Sequence, residues 1–314
     1  MKTQIASHLW AKLWENYSAR VSYAQTYQQM ITAAGGTVAN DHIAFRSLRL
    51  VIDSPEGKKN LGIDYVAGIA EALGYSVAGE YTFSEQKLYA RHYRHPEQDR
   101  FNLPKLFISE LIVDELPEAI ATLIYQTVSS AQDQSSVRLL DVQTIERLIS
   151  QAATKSETEL TASQLQLLVF TRPWSAPLQS VVEAVNTVTQ YGAWVLLHGY
   201  AVNHFTGYIN RQNTPHYPDI ESTARSLASR GVPMKAEIEG SRSSGLRQTA
   251  TFAVTEMVSV RDDTSGEVIH IPWTYAYYEI AERALVEVAP GQQALFDAFL
   301  GSNAQNLFEM TRIA

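Results

Sequence analysis

The stretch Asn40-Asp41-His42-Ile43-Ala44-Phe45-Arg46 leads from polar residues into a short apolar run. As a strand, it would place His42, Ala44 and Arg46 on one face, because side chains alternate with a period of two residues. A candidate metal ligand and a candidate clamp for a carboxylate would then point into the same space. The stretch therefore decides both fold and chemistry if His42 has partners elsewhere in the chain.

The composition is that of a globular protein with one large core or two packed modules. The 314 residues are 45% hydrophobic and 18% charged, which does not indicate disorder. The formal net charge of -8 gives no electrostatic basis for non-specific binding to nucleic acid or to an anionic membrane. An anionic small substrate would need a local positive group.

The chain contains no cysteine, so disulfides, thiolate nucleophiles and sulfur-ligated metals are excluded, and any metal must bind His, Asp or Glu. Polar residues interrupt positions 1–17, which lack the apolar core of a signal peptide. No later stretch approaches the roughly 20 apolar residues that a membrane-spanning helix needs. We expect a cytoplasmic protein, and the sequence leaves its oligomeric state open.

The order strand, helix, three strands is predicted twice along the chain. The first module, residues 37–115, has a strand at 40–49, a helix at 60–73 and strands at 75–83, 87–93 and 106–113. The second module, residues 193–288, has a strand at 194–209, a helix at 220–230, strands at 233–239, 248–260 and 274–282, and a short strand at 267–271. The repeat rests on order and spacing, because the two modules share little sequence.

Three helical regions flank or separate the modules. Residues 1–36 show apolar spacings of three and four that predict one helix or a broken pair. Residues 116–192 are predicted to be a helical insertion that covers one side of the sheet, and residues 289–314 a helical tail, with Leu307 and Phe308 among its packing residues. The sequence therefore predicts an α+β fold that forms one compact unit.

Each module carries a histidine on an early strand and a glutamate on a late strand. The histidines are His42 and His204, and the glutamates are Glu110 and Glu279. Two histidines and one carboxylate on different strands can form a facial triad, which suits non-haem Fe(II) and its chemistry with dioxygen. We select His42, His204 and Glu279 as candidate metal ligands, with Glu110 as a remnant of duplication or an acid behind the ligands. The competing interpretation of each histidine is a hydrogen-bonded core residue.

Other titratable residues compete for these roles. On an unbroken strand, His198 would share the face of His204 but lie about 20 Å away, so a structural role is favoured. Glu282 would face away from Glu279. Three further acids in predicted strands cannot be excluded by periodicity: Glu237, Glu239 and Glu256.

Arg46 has two interpretations. Its guanidinium could hold a substrate carboxylate through two hydrogen bonds, or it could pair with a buried acid such as Glu110; the first is favoured. The basic run at 91–95 is predicted to be a solvated strand end. The loop at 240–245 lacks the ending of a phosphate loop, and no serine lies in a nucleophile-elbow pattern.

Four motifs together resemble the 2-oxoadipate dioxygenase/decarboxylase family, a branch of the vicinal-oxygen-chelate superfamily. The motif at 277–283 also resembles the metal-carboxylate strand of 4-hydroxyphenylpyruvate dioxygenase. The resemblance spans about residues 38 to 285 and is carried by the sequences NDHIAFR (40–46), NHFT (203–206), QTAT (248–251) and YYEIAER (277–283).

The resemblance implies two vicinal-oxygen-chelate-like βαβββ modules that form a curved sheet around a metal site. It implies Fe(II) held by His42, His204 and Glu279, a catalytic Arg46 that binds a substrate carboxylate, and Gln248 as a further substrate-binding residue. The implied reaction turns 2-oxoadipate and dioxygen into 2-hydroxyglutarate and carbon dioxide, a step of lysine catabolism. Two alternatives stay open: a glyoxalase-like isomerase or hydrolase with Zn or Ni, and a non-catalytic small-molecule-binding protein.

Overall fold

The computed structural model describes residues 1–54, 57–129 and 141–300. Leu307 and Phe308 of the predicted tail lie outside the described residues, as do Pro55 and Glu56 of a predicted loop. The helices are α1 (Lys2–Arg20), α2 (Ser22–Ala33), α3 (Ile63–Leu73), α4 (Gln98–Phe101), α5 (Glu118–Ser129), α6 (Val142–Gln151), α7 (Lys155–Val169), α8 (Gln179–Val188), α9 (Gln190–His198) and α10 (Ile220–Ser229).

Most of the strands belong to one large sheet, and the others form short hairpins. The strands are β1 (Asn40–Arg49), β2 (Val51–Ser54), β3 (Gly57–Asn60), β4 (Ser76–Phe83), β5 (Leu88–Arg94), β6 (Lys105–Ile112), β7 (Val202–Tyr208), β8 (Glu239–Ser241), β9 (Leu246–Ala250), β10 (Thr255–Arg261), β11 (Val268–Thr274), β12 (Glu279–Arg283), β13 (Leu285–Ala289) and β14 (Gln292–Leu295).

The eight-stranded sheet has the order β4-β5-β6-β1-β7-β12-β9-β8. Each half is one module, and the first strand of a module runs parallel to its last strand. The two halves meet where β1 and β7 pair antiparallel. The predicted α+β class and the two βαβββ modules are therefore confirmed. The second module carries one addition, the hairpin β10–β11, between β9 and β12.

The pairing of β1 with β7 makes the two histidines equivalent. The central register joins His42 to Thr206, Ile43 to Phe205, and Ala44 to His204. A near-twofold axis through the middle pair relates His42 to His204. Each histidine is thus one residue from the axis, and both side chains lie on the same face of the sheet because each is an odd step from that pair.

The same register corrects the predicted counterpart of Glu279. Glu279 pairs with Thr206, and the equivalent of Thr206 in the first module is Ala44. Ala44 pairs with Phe107 on β6, so Phe107 stands where Glu110 was expected. The sequence could not reveal this difference, since the register of a strand pair is not readable from spacing within one strand.

The opposite face of β1 and β7 packs against the N-terminal helices. The rings of Phe45 and Phe205 point there, with Phe45 6.5 Å from Trp10 and Phe205 5.1 Å from Tyr17 between ring centroids. Both central strands are therefore buried on both faces. The helical region splits at Val21 into α1 and α2, which confirms the broken pair. No helix in the part of the chain that the structure describes is long and apolar enough to cross a membrane.

The predicted strand at 194–209 is wrong in its first half. Residues up to His198 form α9, whose N-terminus is capped by the Thr189 hydroxyl accepting from Gly192 N. The whole of 191–198 is buried, and a continuously apolar run cannot be assigned to strand or helix by periodicity. His198 therefore lies on a helix, and only β7 carries His204.

Three further sequence predictions need correction. Residues 292–295 form β14, paired with β13 across a turn at Gly291, so the predicted helical tail is wrong there; Pro290 and Gly291 are turn formers that favour a hairpin. The predicted strand at 233–239 is reduced to an isolated bridge at Met234 and the start of β8. The predicted strand at 248–260 divides into β9 and β10.

Gly199 sets the corner between α9 and β7, and we expect its replacement by Ala to be costly. Its φ is +60°, and an added Cβ would overlap the backbone of Thr171 and Arg172. Gly231 is the matched control, because it has φ +81° with open space around it. Gly231→Ala should lower the free energy of unfolding by about 1–2 kcal/mol, and Gly199→Ala by about 1–3 kcal/mol more. Urea denaturation measures both; equal losses would contradict this account of the corner.

Candidate metal centre

The three residues selected from the sequence meet at the middle of the sheet. His42 on β1, His204 on β7 and Glu279 on β12 are all buried. The two histidine Nε2 atoms lie 3.4 Å apart. Glu279 Oε1 lies 3.6 Å from His42 Nε2, and Glu279 Oε2 lies 3.7 Å from His204 Nε2. One possible ligand atom from each of the three residues lies within 4.8 Å of the other two.

These distances suit a shared metal ion. Metal bonds to histidine nitrogen and carboxylate oxygen are about 2.0–2.2 Å long, so two ligand atoms on one ion lie at most about 4.4 Å apart. Within the described parts of the chain, neither oxygen of Glu279 has a hydrogen-bond partner of ordinary geometry, although the nearby Thr206 side chain acts to lower the pKa of Glu279. Burial, and then the negative charge of Asp41, raise the pKa of Glu279 well above its usual range. A divalent cation would relieve this cost, because a buried carboxylate needs a partner.

Both imidazoles are held by an acceptor on the residue that precedes them. His42 Nδ1 donates to Asp41 Oδ2 at 2.9 Å, and His204 Nδ1 donates to Asn203 Oδ1 at 3.1 Å. This leaves both Nε2 atoms as acceptors, the arrangement that metal-ligating histidines normally show. His42 Nε2 accepts a hydrogen bond from the Thr206 hydroxyl at 3.1 Å, and a metal bound there would replace this contact. Burial lowers the pKa of both histidines, which favours the neutral form that binds metals. The sequence signal was an Asp or Asn directly before each histidine.

A buried ion pair fixes the acceptor of His42. Arg283 donates from Nε to Asp41 Oδ1 at 2.6 Å and from Nη2 to Asp41 Oδ2 at 2.8 Å. Burial alone would oppose ionisation of Asp41, but Arg283 and Lys105 hold its pKa well below the usual range. Asp41 is therefore a carboxylate that can accept from the imidazole. Asp41 and Arg283 both belong to the sequence motifs, but their pairing with each other was not predicted.

A small cavity of about 30 Å³ opens beside His42 and His204. Arg46 and Gln248, the two predicted substrate-binding residues, both line it. The remaining wall is largely apolar and aromatic: Ala44, Phe45, Phe107, Ser109, Asn203, Tyr277, Phe299 and Leu300 join the two histidines. The cavity thus brings the two histidines of the candidate metal centre together with a cation and an amide.

Arg46 is almost fully buried behind this cavity. Its guanidinium carbon lies 4.8 Å from the ring centroid of Tyr191 and 5.1 Å from that of Trp194. Glu110, the alternative partner considered from the sequence, instead accepts from Arg49 Nε at 2.6 Å and from Ile63 N at 2.8 Å at the start of α3. The position of Arg46 therefore agrees with a role at the cavity.

The competing acids and His198 do not join the centre. His198 packs between Trp194 and Tyr275, and Glu237 is exposed. The other three acids have cationic neighbours: Glu239 pairs with Lys235, Glu256 with Arg20, and Glu282 with Arg247.

Residues 91–95 were predicted to be a solvated strand end, and this prediction is wrong for His92 and His95. His92 and His95 are buried, and His92 packs against Phe299 at 5.2 Å between ring centroids. Burial lowers the pKa of His92 to about 4, so it is neutral. Alternation along β5 places His92 inward, and the charged residues around it hid this in the sequence.

Comparisons with known proteins agree with this fold. A chloroplastic 2-oxoadipate dioxygenase/decarboxylase of Arabidopsis thaliana is 27% identical over 289 residues, covering 86% of this chain and 67% of the relative. The crystal structure of the Oryza sativa hydroxyglutarate synthase in complex with 2-oxoadipate has a TM-score of 0.77 at 22% identity, covering 99% of this chain and 93% of that one. A glyoxalase-superfamily protein of Ralstonia eutropha JMP134 has a TM-score of 0.76 at 22% identity, covering 89% and 83%.

The two modules and the candidate metal site define a two-module α+β protein whose fold is shared with these solved structures. A family model described as 2-oxoadipate dioxygenase/decarboxylase matches residues 10–312. The chain therefore belongs to the 2-oxoadipate dioxygenase/decarboxylase family, a family of enzymes.

Removal of one imidazole should abolish metal binding. We expect His204→Ala to lose stoichiometric binding of Fe(II), because two ligands cannot replace the three that converge here. His216→Ala is the matched control, since His216 is exposed and outside the centre, and it should bind metal like the parent protein. Elemental analysis after metal loading and desalting measures both. Metal retained at one equivalent by His204→Ala would contradict the proposed ligand set.

Proposed function

We propose that this protein is an Fe(II)-dependent dioxygenase and decarboxylase that converts 2-oxoadipate and dioxygen into 2-hydroxyglutarate and carbon dioxide. The observation that carries the proposal is the buried centre of His42, His204 and Glu279, with Arg46 on the wall of the same cavity. Membership of the family supports the substrate, and the donor set supports the metal. Two histidines and one carboxylate are the ligands of Fe(II) oxygenases.

The three protein ligands would occupy one side of the ion and leave other positions open. Fe(II) bound there would supply a Lewis acid, a template for the 2-oxo acid and dioxygen, and the electrons that dioxygen activation needs. Asp41 and Asn203 hold the imidazoles in the required tautomer. Because those acceptors precede the ligands directly, the centre is organised before substrate arrives.

Arg46 is placed to select a dicarboxylate. A guanidinium offers parallel donors that match a carboxylate. The guanidinium of Arg46 lies over the rings of Tyr191 and Trp194, which restrict its orientation. In an enclosed cavity the attraction between the two charges exceeds that in water. Arg46 would hold the carboxylate distant from the metal, and so decide which end of the substrate reacts.

Gln248 would provide neutral polar contacts to the substrate. It lies on β9 opposite Ala281 of β12 and is 4% exposed. Its amide can both donate and accept, so it can bind a carboxylate oxygen or an oxygen that changes character during the reaction.

The aromatic wall would protect the chemistry from water. Tyr277 stacks on His204 with ring centroids 4.7 Å apart, and Phe299 meets His42 edge-on at 4.8 Å. Phe107 continues this wall in the position equivalent to Glu279. Exclusion of water strengthens electrostatic interactions in the site and prevents side reactions.

The direct test is turnover by protein loaded with Fe(II) under anaerobic conditions and then exposed to dioxygen. We expect 2-oxoadipate to consume dioxygen and to give equal amounts of carbon dioxide and 2-hydroxyglutarate, with slower reaction of 2-oxoglutarate and 4-hydroxyphenylpyruvate. An oxygen electrode and mass spectrometry of products measure this. Absence of turnover with every 2-oxo acid would contradict the oxygenase. Turnover with Zn or Ni and without dioxygen would instead support an isomerase or hydrolase.

Arg46→Met should separate substrate selection from metal binding. Loss of two charge-assisted hydrogen bonds, each about 1.5–3 kcal/mol, should lower kcat/KM for 2-oxoadipate at least about 100-fold, since about 1.4 kcal/mol corresponds to tenfold. Metal content should stay at one equivalent. Arg100→Ala is the control, because Arg100 is on the exposed helix α4, and it should keep the parent kcat/KM. An unchanged kcat/KM in Arg46→Met would exclude the proposed role.

A further inference from the structure

Two cavities meet at residues 296–300, which we call the strap. Phe299 and Leu300 line the metal cavity of about 30 Å³, and Phe296, Asp297 and Ala298 line a neighbouring cavity of about 560 Å³. The smaller volume is about that of one water molecule, whereas sites for small ligands commonly measure about 300–1,000 Å³. A six-carbon dicarboxylate therefore fits beside the metal ligands only after the wall moves.

Polar contacts fasten the backbone of the strap. Arg283 Nη1 donates to the carbonyl oxygens of Phe296 and Ala298, both at 2.9 Å. Phe299 N donates to the Tyr81 hydroxyl at 3.1 Å. All five strap residues are only partly buried. The backbone of the strap is thus attached to the sheet by replaceable hydrogen bonds, while the Phe299 side chain packs against the core.

The Phe299 side chain covers the metal ligands. Its ring contacts His42 edge-on at 4.8 Å and Phe107 at 5.0 Å between centroids. Both partners lie on the inner face of the sheet, next to the position that a metal-bound substrate would need. Moving Phe299 would join the two cavities into a space of ligand size.

The strap is also anchored by a carboxylate that sits where an anionic ligand could sit. Asp297 Oδ2 lies 2.6 Å from Arg94 Nη1, and Asp297 Oδ1 lies 2.7 Å from Lys105 Nζ. Lys105 is 5% exposed and pairs with His42 in the sheet register. A lysine so buried requires a negative partner, and here the strap supplies it.

If Asp297 is left out of the count, the side chains that line the larger cavity carry an excess of positive charge. The charged residues that line it are Asp41, Arg94, Asp99, Lys105, Arg211, Arg283 and Asp297. Arg283 is paired with Asp41, and Arg211 is paired with Asp99. Among the described side chains that line this cavity, Asp297 is the carboxylate in direct ion pairs with Arg94 and Lys105, whereas Asp41 acts on Lys105 without such a pair. Removing it exposes two cations in an otherwise acidic protein, which attracts anions.

We propose that Arg94 and Lys105 form a second carboxylate-binding site, which Asp297 fills as an internal competitor. A dicarboxylate that displaces Asp297 releases the strap, and Phe299 then leaves His42 and opens the metal cavity. The choice of a dicarboxylate as ligand rests on the proposed function, whereas the site itself rests on the Asp297 contacts and the two cavities.

The test measures the affinity of metal-free protein for adipate by isothermal titration calorimetry. Adipate has two carboxylates but no keto group, so binding is independent of metal chelation and turnover. We expect Asp297→Asn to bind adipate about tenfold more tightly than the parent protein. Asp99→Asn is the matched control, because it removes one negative charge from the same cavity without vacating Arg94 and Lys105, and it should bind adipate within about twofold of the parent. Equal tightening by both variants, or by neither, would overturn the proposal.

Two further measurements assign the effect to the site and to the strap. Asp297→Asn combined with Arg94→Gln should lose the tenfold gain, and a retained gain would overturn the site. Since the chain has no cysteine, Ala298→Cys accepts a single environment-sensitive fluorophore. Its emission should change with adipate along the calorimetric binding curve, and an unchanged emission at saturation would overturn the movement of the strap. Failure of the oxygenase assay alone leaves all these results intact.

Discussion

The antiparallel pairing of β1 with β7 is the constraint on which the rest of the structure depends. Its register sets Ala44 opposite His204 and His42 opposite Thr206, so both imidazoles project from one face within 3.4 Å of each other. The neighbouring strand β12 then brings Glu279 beside Thr206. A slip of one residue would turn one histidine to the helix-covered face. The register of the sheet therefore brings His42, His204 and Glu279 together, whatever rotamers their side chains adopt.

Arg283 connects this centre to its surroundings. The same guanidinium orients Asp41, which holds His42, and donates to two carbonyl groups of the strap. Arg283 and Asp41 are both nearly inaccessible to solvent, so each depends on the other for charge compensation. The candidate metal ligand His42, the larger cavity and the strap are consequently joined through the hydrogen bonds of one guanidinium.

The features that the sequence predicted correctly are those that follow from alternation within a strand or from the order of elements along the chain. Alternation placed His42 and Arg46 on one face, and the repeated element order indicated two modules and the acid Glu279. Features that depend on long-range register or packing were missed. Phe107 and not Glu110 is the counterpart of Glu279, because strand register is not a local property. Residues 190–198 form helix α9 and not the predicted strand, because an apolar run that is buried on all sides has no diagnostic periodicity. The buried His92 was hidden among charged neighbours, and the contacts of Asp297 join parts of the chain about 200 residues apart.

The central claim is that residues from both modules bind one metal ion at the sheet centre. Anomalous X-ray diffraction from crystals grown with Fe(II), measured on both sides of the iron absorption edge, tests it directly. The account predicts a single strong anomalous peak about 2.0–2.2 Å from His42 Nε2, His204 Nε2 and a Glu279 oxygen. A peak held by other residues, or no peak at this centre in protein that contains one equivalent of iron, would contradict it.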